Sequence, residues 1–222
     1  MEWLKEPPPY PLAIAHRAAN EAALLRKAEE AGVDVVEADI WPYRGRLEVR
    51  HLKTMGPVPL LWDRWKLTPG WTKRLVLDDL LESEAGPHLM LDLKGQNREA
   101  SQRILATVRG AMPGQAFTVC SRSWSLLEAF AEVPGVNVVH SVGSTAQLAA
   151  IWKRLRAFPG SGISIHQRLL TPELVAKLRE RVPVVMTWPV NDETRMWQLI
   201  EWGANGIISD RLDVLEKLLA ER

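Results

Sequence analysis

Two short pairings of charged residues carry the chemistry of this 222-residue chain: Glu37 with Asp39 in VVEADI, and Asp92 with Lys94 in LMLDLKG. On a β-strand, residues i and i+2 share a face, so each pair converges on one side. Three carboxylates drawn together repel one another unless a cation compensates them. Hard oxygen ligands suit one divalent ion, Mg2+ or Ca2+ with Mn2+ a further option, better than zinc. The plain alternative is a set of salt bridges to arginine. His16 and Arg17, adjacent in AIAHRAANE, put a proton-transfer group beside a cation, as suits a site that holds an anion while a proton moves. Arg17 and Lys94 are then candidates to hold anionic oxygens.

A second histidine, His51, ends the stretch RGRLEVRH, in which Arg44-Gly45 supplies a turn and Val49 an apolar strand position. A hairpin there could carry His51 back over the same site, although a surface-loop histidine is the bland alternative. Two histidines with an ordinary pKa near 6.5 could divide the work of removing and supplying a proton, each step worth about 10²–10⁴ in rate. His140 and His166 also fall at expected strand ends and leave a three-histidine zinc site as a secondary option. His88 falls at a strand start and reads as structural. Cys120 is the single cysteine, so it has no partner for a disulfide or a CxxC site, and it reads as a small apolar residue on a buried strand.

Strands and helices must position these groups, and the chain alternates them from end to end. Apolar β-rich runs at 12–16, 34–40, 89–93, 116–121, 136–140, 162–166, 184–188 and 206–209 alternate with helical stretches at 21–31, 77–84, 98–111, 125–131, 146–156, 172–181, 193–202 and 212–220. Such alternation predicts parallel strands joined by helical crossovers, and eight units predict an α/β fold, a (β/α)8 TIM barrel forming a single domain over 1–222. No GxGxxG or GxxxxGK[ST] sequence points to an open, doubly wound sheet instead. In a barrel the C-terminal strand ends build the active site, and the charged residues above occupy three of them. Asn20, Thr171 before Pro172, and Asp192 are expected helix caps. A small hairpin and loop excursion is expected after the second strand, with the Pro- and Gly-broken stretch 54–73 as an irregular loop near the barrel mouth.

A formal net charge of +1 gives no field for gathering polyanions, so no nucleic-acid partner is expected. The N-terminus, MEWLKEPPPYPL, is too acidic and proline-rich for a signal peptide, and no stretch approaches the ~18 apolar residues of a membrane span. A soluble, cytoplasmic protein without stable membrane insertion is expected; the oligomeric state stays open.

The HR on the first strand, E-x-D on the second, a hairpin ending in His, D-x-K on the third, and W-x-V-N followed by G-x-x-S-D near the end resemble the glycerophosphodiester phosphodiesterase family. The resemblance runs over nearly the whole chain. It implies His16 and His51 as the acid–base pair, Glu37, Asp39 and Asp92 as ligands of one divalent ion, and Arg17 and Lys94 as phosphate contacts. It also implies Trp188 as part of the substrate wall and Asn191 as the cap of the next helix. The implied reaction is hydrolysis of a small-molecule glycerophosphodiester to glycerol 3-phosphate and an alcohol. Three positions depart from the family pattern: Ala18 stands for Gly, Leu52 for the Asp after the second His, and Asp92 for Glu. The missing Asp removes a carboxylate able to orient His51 or tune its pKa.

Three other readings compete. Lysophospholipase D-like hydrolysis would let the tryptophans between Trp62 and Trp71 meet an acyl chain, and exposed apolar area there would favour it. A Schiff-base role for Lys94 is disfavoured by Asp92 two residues away. A non-catalytic phosphate-ligand-binding barrel is disfavoured by the intact His16, His51 and E-x-D.

Overall fold

In the computed structural model, which describes residues 1–3, 6–55, 58–63, 66–82 and 86–222, eight parallel strands close on themselves. The first is β1 (Leu12–Ala15), followed by α1 (Ala22–Glu30) and β2 (Val35–Tyr43). Between β2 and the next barrel strand come β3 (Arg46–Val49), β4 (Lys53–Met55), β5 (Val58–Asp63), β6 (Lys66–Pro69) and α2 (Leu77–Leu81). Regular alternation then resumes with β7 (His88–Leu93), α3 (Arg98–Ala111), β8 (Phe117–Ser121), β9 (Val136–Val142), α4 (Thr145–Ala157) and β10 (Gly162–His166). It ends with α5 (Pro172–Arg179), β11 (Val184–Trp188), α6 (Glu193–Glu201), β12 (Gly206–Ser209) and α7 (Leu212–Ala220). The expected helix at 125–131 is a 3-10 segment, Trp124–Phe130. β1 pairs with both β12 and β2, and this closes the expected (β/α)8 barrel.

Strand alternation divides the side chains into two cores. Leu12, Ile14, Val35, Met90, Cys120, Val139, Met186 and Ile208 pack inside the barrel, whereas Ala13, Val36, Ala38, Ile40, Leu91 and Leu93 pack outward beneath the helices. Continuing each inward row by two residues reaches the C-terminal mouth, which is why Glu37 follows Val35, Asp92 follows Met90 and His16 follows Ile14. Gly206 keeps the interior from overfilling, since a Cβ there would lie 2.7 Å from Met186 Cγ. Thr171 and Asp192 cap α5 and α6 as expected, accepting from the backbone N–H groups of Leu174 and Arg195.

Trp3 closes the opposite end of the barrel. It is fully buried, its backbone N–H donates to Asn137 Oδ1 at 2.9 Å, and its ring lies 5.8 Å from that of His88. Burial, reinforced by the N-terminal ammonium, pushes the His88 pKa down to about 3. Unfolded, this histidine takes a proton below about pH 6.5, whereas the native one stays neutral. Its contribution to stability is therefore complete above pH 6.5 and is lost as pH falls toward 3. We expect about 2 kcal/mol of acid destabilisation from this residue between pH 6.5 and 5. Urea midpoints measured across that range should fall less steeply in His88→Gln.

The stretch expected as an irregular loop, 54–73, is instead largely a three-stranded antiparallel sheet, β4-β5-β6, with Lys53 opposite Trp62 and Trp62 opposite Leu67. Prolines and glycines mark it as a loop by local rules. The ladder forms around a register shift between Thr54 and Met55. The preceding hairpin, β2 with β3, turns at Arg44-Gly45 as expected, both with positive φ.

Candidate active site

Strand pairing alone brings the acidic groups together. β2 and β7 lie side by side with Asp39 opposite Asp92 and Glu37 opposite Met90. Carboxylate oxygens of Glu37, Asp39 and Asp92 all lie within 4.8 Å of one another, and among the described residues this is the one such cluster that could hold a metal ion. Lys94 Nζ sits 2.7 Å from Asp39 Oδ1 and also bonds Asp92. Arg17 adopts a left-handed backbone, φ 58°, which turns its own N–H onto Glu37 Oε2 at 2.7 Å. Its guanidinium donates to His51 Nε2 at 2.7 Å and lies 3.8 Å from Asp39 Oδ2.

Two carboxylates that the sequence did not single out hold the histidines. His16 Nδ1 lies 2.7 Å from Asp210 Oδ1, and His51 Nδ1 lies 2.8 Å from Asp63 Oδ2. Asp210 ends the G-x-x-S-D stretch, so a signal existed without an assigned role. Asp63 lies in the stretch expected to be irregular, and from β5 it supplies the carboxylate that Leu52 cannot. Asn20 is not the expected helix cap, because Glu21 occupies that place. Instead Asn20 Nδ2 donates to Asp39 Oδ2, and its Oδ1 accepts from Asp39 N–H, both at 2.8 Å. Asn191 likewise does not cap α6; it donates to Asp210 Oδ2 at 3.0 Å and so steadies the partner of His16.

Burial and neighbouring charge set the proton affinities. Burial, then the Asp39 charge, pushes the Glu37 carboxyl up to about 7. Asp92 is also raised, chiefly by burial. Burial would raise Asp39 too, but Lys94 and the Asn20 hydrogen bond outweigh it and hold this carboxyl below its ordinary range. Burial opposes charge on Lys94, yet Asp92, Asp39 and Glu37 prevail and raise its pKa, so it is a fixed ammonium and not a Schiff-base nucleophile. Burial also opposes charge on His16, but the Asp210 hydrogen bond and the Glu37 charge lift its pKa above the ordinary value. For His51, burial wins and the pKa falls. The hydrogen bond to His16 keeps Asp210 well below the usual carboxylate range.

These groups fit a divalent cation. Asp92 Oδ1 is buried without a hydrogen-bond partner, and Glu37 resists ionisation because it is buried and lies beside Asp39. A hard cation among the three carboxylates would satisfy both.

The cavity over this cluster has a volume of about 380 Å3 and is lined by His16, Arg17, His51, Arg122, His166 and Trp188, among others. Trp188 meets His166 edge to face, ring centroids 4.9 Å apart. His166 therefore belongs to the wall rather than to a metal cluster. His140 lies outside the cavity, buried between Trp124 and Phe158 and bonded by Arg154 at 3.3 Å, and so is a packing residue.

In class, this is a (β/α)8-barrel phosphodiesterase with a carboxylate cluster able to hold a metal. The sequence pattern of the Glycerophosphoryl diester phosphodiesterase family matches residues 92–214, and the chain belongs to that family of hydrolases. A search of curated proteins finds no match. Among solved structures, an Oleispira antarctica phosphodiesterase in complex with the product sn-glycerol-3-phosphate is 19% identical, with a TM-score of 0.73 over 95% of this chain and 97% of that one. A glycerophosphodiester phosphodiesterase from Parabacteroides distasonis is 20% identical, with a TM-score of 0.74 over 95% and 97% of the two chains. The one from Thermotoga maritima is 18% identical, with a TM-score of 0.70 over 95% and 98%. At these identities the likeness is one of fold. Among the described residues, no helix is long and apolar enough to cross a membrane.

Proposed function

We propose that the chain hydrolyses glycerophosphodiesters to glycerol 3-phosphate and an alcohol, with Glu37, Asp39 and Asp92 holding a divalent ion and His16 and His51 exchanging protons. The observation that carries this reading is the paired anchoring of the histidines. Each has Nδ1 held by a carboxylate, and each turns Nε2 inward, His16 to 3.9 Å from Glu37 and His51 onto Arg17. Arginine only donates, so His51 Nε2 accepts and this ring is neutral with its proton on Nδ1. His51 is thus placed to take a proton, and His16, whose pKa is raised, to supply one to the leaving alkoxide. Arg17 and Lys94 hold the phosphate oxygens and offset the charge that grows on them. Trp188 forms part of the wall against the substrate. A bound divalent ion would add Lewis-acid stabilisation of the phosphoryl group.

If Asp63 fixes the tautomer of His51, Asp63→Asn should lower kcat by about one to two orders of magnitude while leaving KM nearly unchanged. Equal kcat values would remove Asp63 from the scheme.

Exposed apolar side chains favour a second reading, lysophospholipid hydrolysis of the lysophospholipase D kind: Leu67 is 59% and Trp71 71% exposed. One assay separates the possibilities. Chelator-treated protein is offered glycerophosphocholine or lysophosphatidylcholine, with Mg2+, Ca2+, Mn2+ or no metal. Metal-restored release of glycerol 3-phosphate supports the first reading. Cleavage of the lysolipid alone supports the second, and silence on both points to a binding barrel.

A further inference from the structure

We propose that the outer face of the β4-β5-β6 sheet docks on an anionic lipid surface and seats the barrel mouth against it. The sheet has two unlike sides. Lys53 lies opposite Trp62, which lies opposite Leu67, so the three form one row on one face, and Val58 shares that face two steps of alternation along β5. The other face carries Leu61, fully buried, and Asp63, bonded to His51. The barrel therefore covers one side and leaves the other to solvent. Val58, Trp62, Leu67 and Trp71 are 48%, 40%, 59% and 71% exposed, four of the seven large hydrophobic side chains that are exposed among the described residues. Isolated exposed apolar groups need no explanation, but Val58, Trp62 and Leu67 share one sheet face and Trp71 follows two residues after β6, which concentrates exposed apolar groups in this excursion.

Charge selects the occupant. Residues 53–74 hold five Lys or Arg against one Asp, and that Asp, Asp63, is engaged by His51. Subtracting them from 28 basic and 27 acidic residues leaves 23 against 26 for the rest of the chain. This net-basic segment also carries the two exposed tryptophans, Trp62 and Trp71, found among the described residues. The Lys53 ammonium lies 5.4 Å from the centroid of the Trp62 ring, the combination of cation and amphipathic ring that suits an anionic headgroup layer. Lys53 also lines the catalytic cavity, so the patch and the entrance are continuous. This deepens the proposed function by naming where substrate is met, and it can be tested without catalysis.

The test is sedimentation of the full chain with vesicles of phosphatidylcholine, with or without phosphatidylglycerol, at low and high salt. The protein should pellet with the anionic vesicles and less so as salt shortens the Debye length from ~10 Å at 0.1 M to ~3 Å at 1 M. Leu67→Ser combined with Trp71→Ser should reduce the partition constant by about tenfold or more, with an unchanged circular dichroism spectrum and melting temperature. Binding that needs no anionic lipid, binding unaffected by the double variant, or no binding at all would overturn the proposal. So would a dimer in sedimentation velocity that the double variant splits, since the face would then belong to a second copy. These results are independent of glycerol 3-phosphate release, so docking and reaction can fail separately.

Discussion

His16→Ala should lower kcat for glycerophosphodiester hydrolysis by about 10²–10⁴ and leave KM within a few-fold of the parent, because the proposed role is proton supply to the leaving alkoxide and not substrate binding. The geometry makes this a sharp expectation. His16 is held by Asp210, which Asn191 holds in turn, and its Nε2 faces the carboxylate cluster. The same variant should bind Mn2+ in calorimetry nearly as well as the parent, since His16 is not among the three proposed ligands. A substrate with an activated leaving group, such as a nitrophenyl ester, needs less proton donation and should recover most of the lost rate in the variant. Equal losses on both substrates would instead make His16 the acceptor or a purely positioning residue.

Glu37→Gln should have two opposite effects. It removes a proposed ligand, so metal binding and metal-dependent turnover should fall to the detection limit. It should also stabilise the metal-free protein at pH 8. Burial, with Asp39 next, raises the native Glu37 pKa to about 7, above the ~4.3 of an unfolded glutamate. Its favourable contribution is present below the unfolded value and is lost as pH rises through about 7. Above that pH the native state carries a charge that it resists, at a cost of up to about 4 kcal/mol. Thermal melts with chelator should therefore rank Glu37→Gln above the parent at pH 8 and near it at pH 5. Added Mn2+ or Ca2+ should raise the parent's melting temperature and leave the variant's unchanged. A variant that still gains stability from metal would place the ion elsewhere.

Much of this site can be read in the chain because the relevant rules are local. Alternation on a strand is enough to put Glu37 beside Asp39, and Asp92 beside Lys94, on the inward side. Eight apolar strand runs separated by helical stretches are enough to imply a barrel, and a barrel implies that these groups gather at its C-terminal mouth. The turn at Arg44-Gly45 was likewise local, and with it the return of His51.

The partners of the two histidines were decided by tertiary structure. Asp210 meets His16 across 194 residues only because β1 and β12 become neighbours when the barrel closes. Local capping rules allowed Asn20 to be a helix cap and the family resemblance implied the same for Asn191, and long-range hydrogen bonds to Asp39 and Asp210 claimed them instead. Asp63 is only 12 residues from His51, but it sits in a segment whose prolines and glycines conceal a bulged three-stranded sheet, so its direction depends on pairing with β4 and β6. The sequence by itself determined which groups could do chemistry and which end of the fold would collect them, because period and composition are properties of neighbours. Which carboxylate orients each histidine, and which face of the excursion meets solvent, followed only from barrel closure and sheet register, because both join residues whose proximity no local pattern encodes.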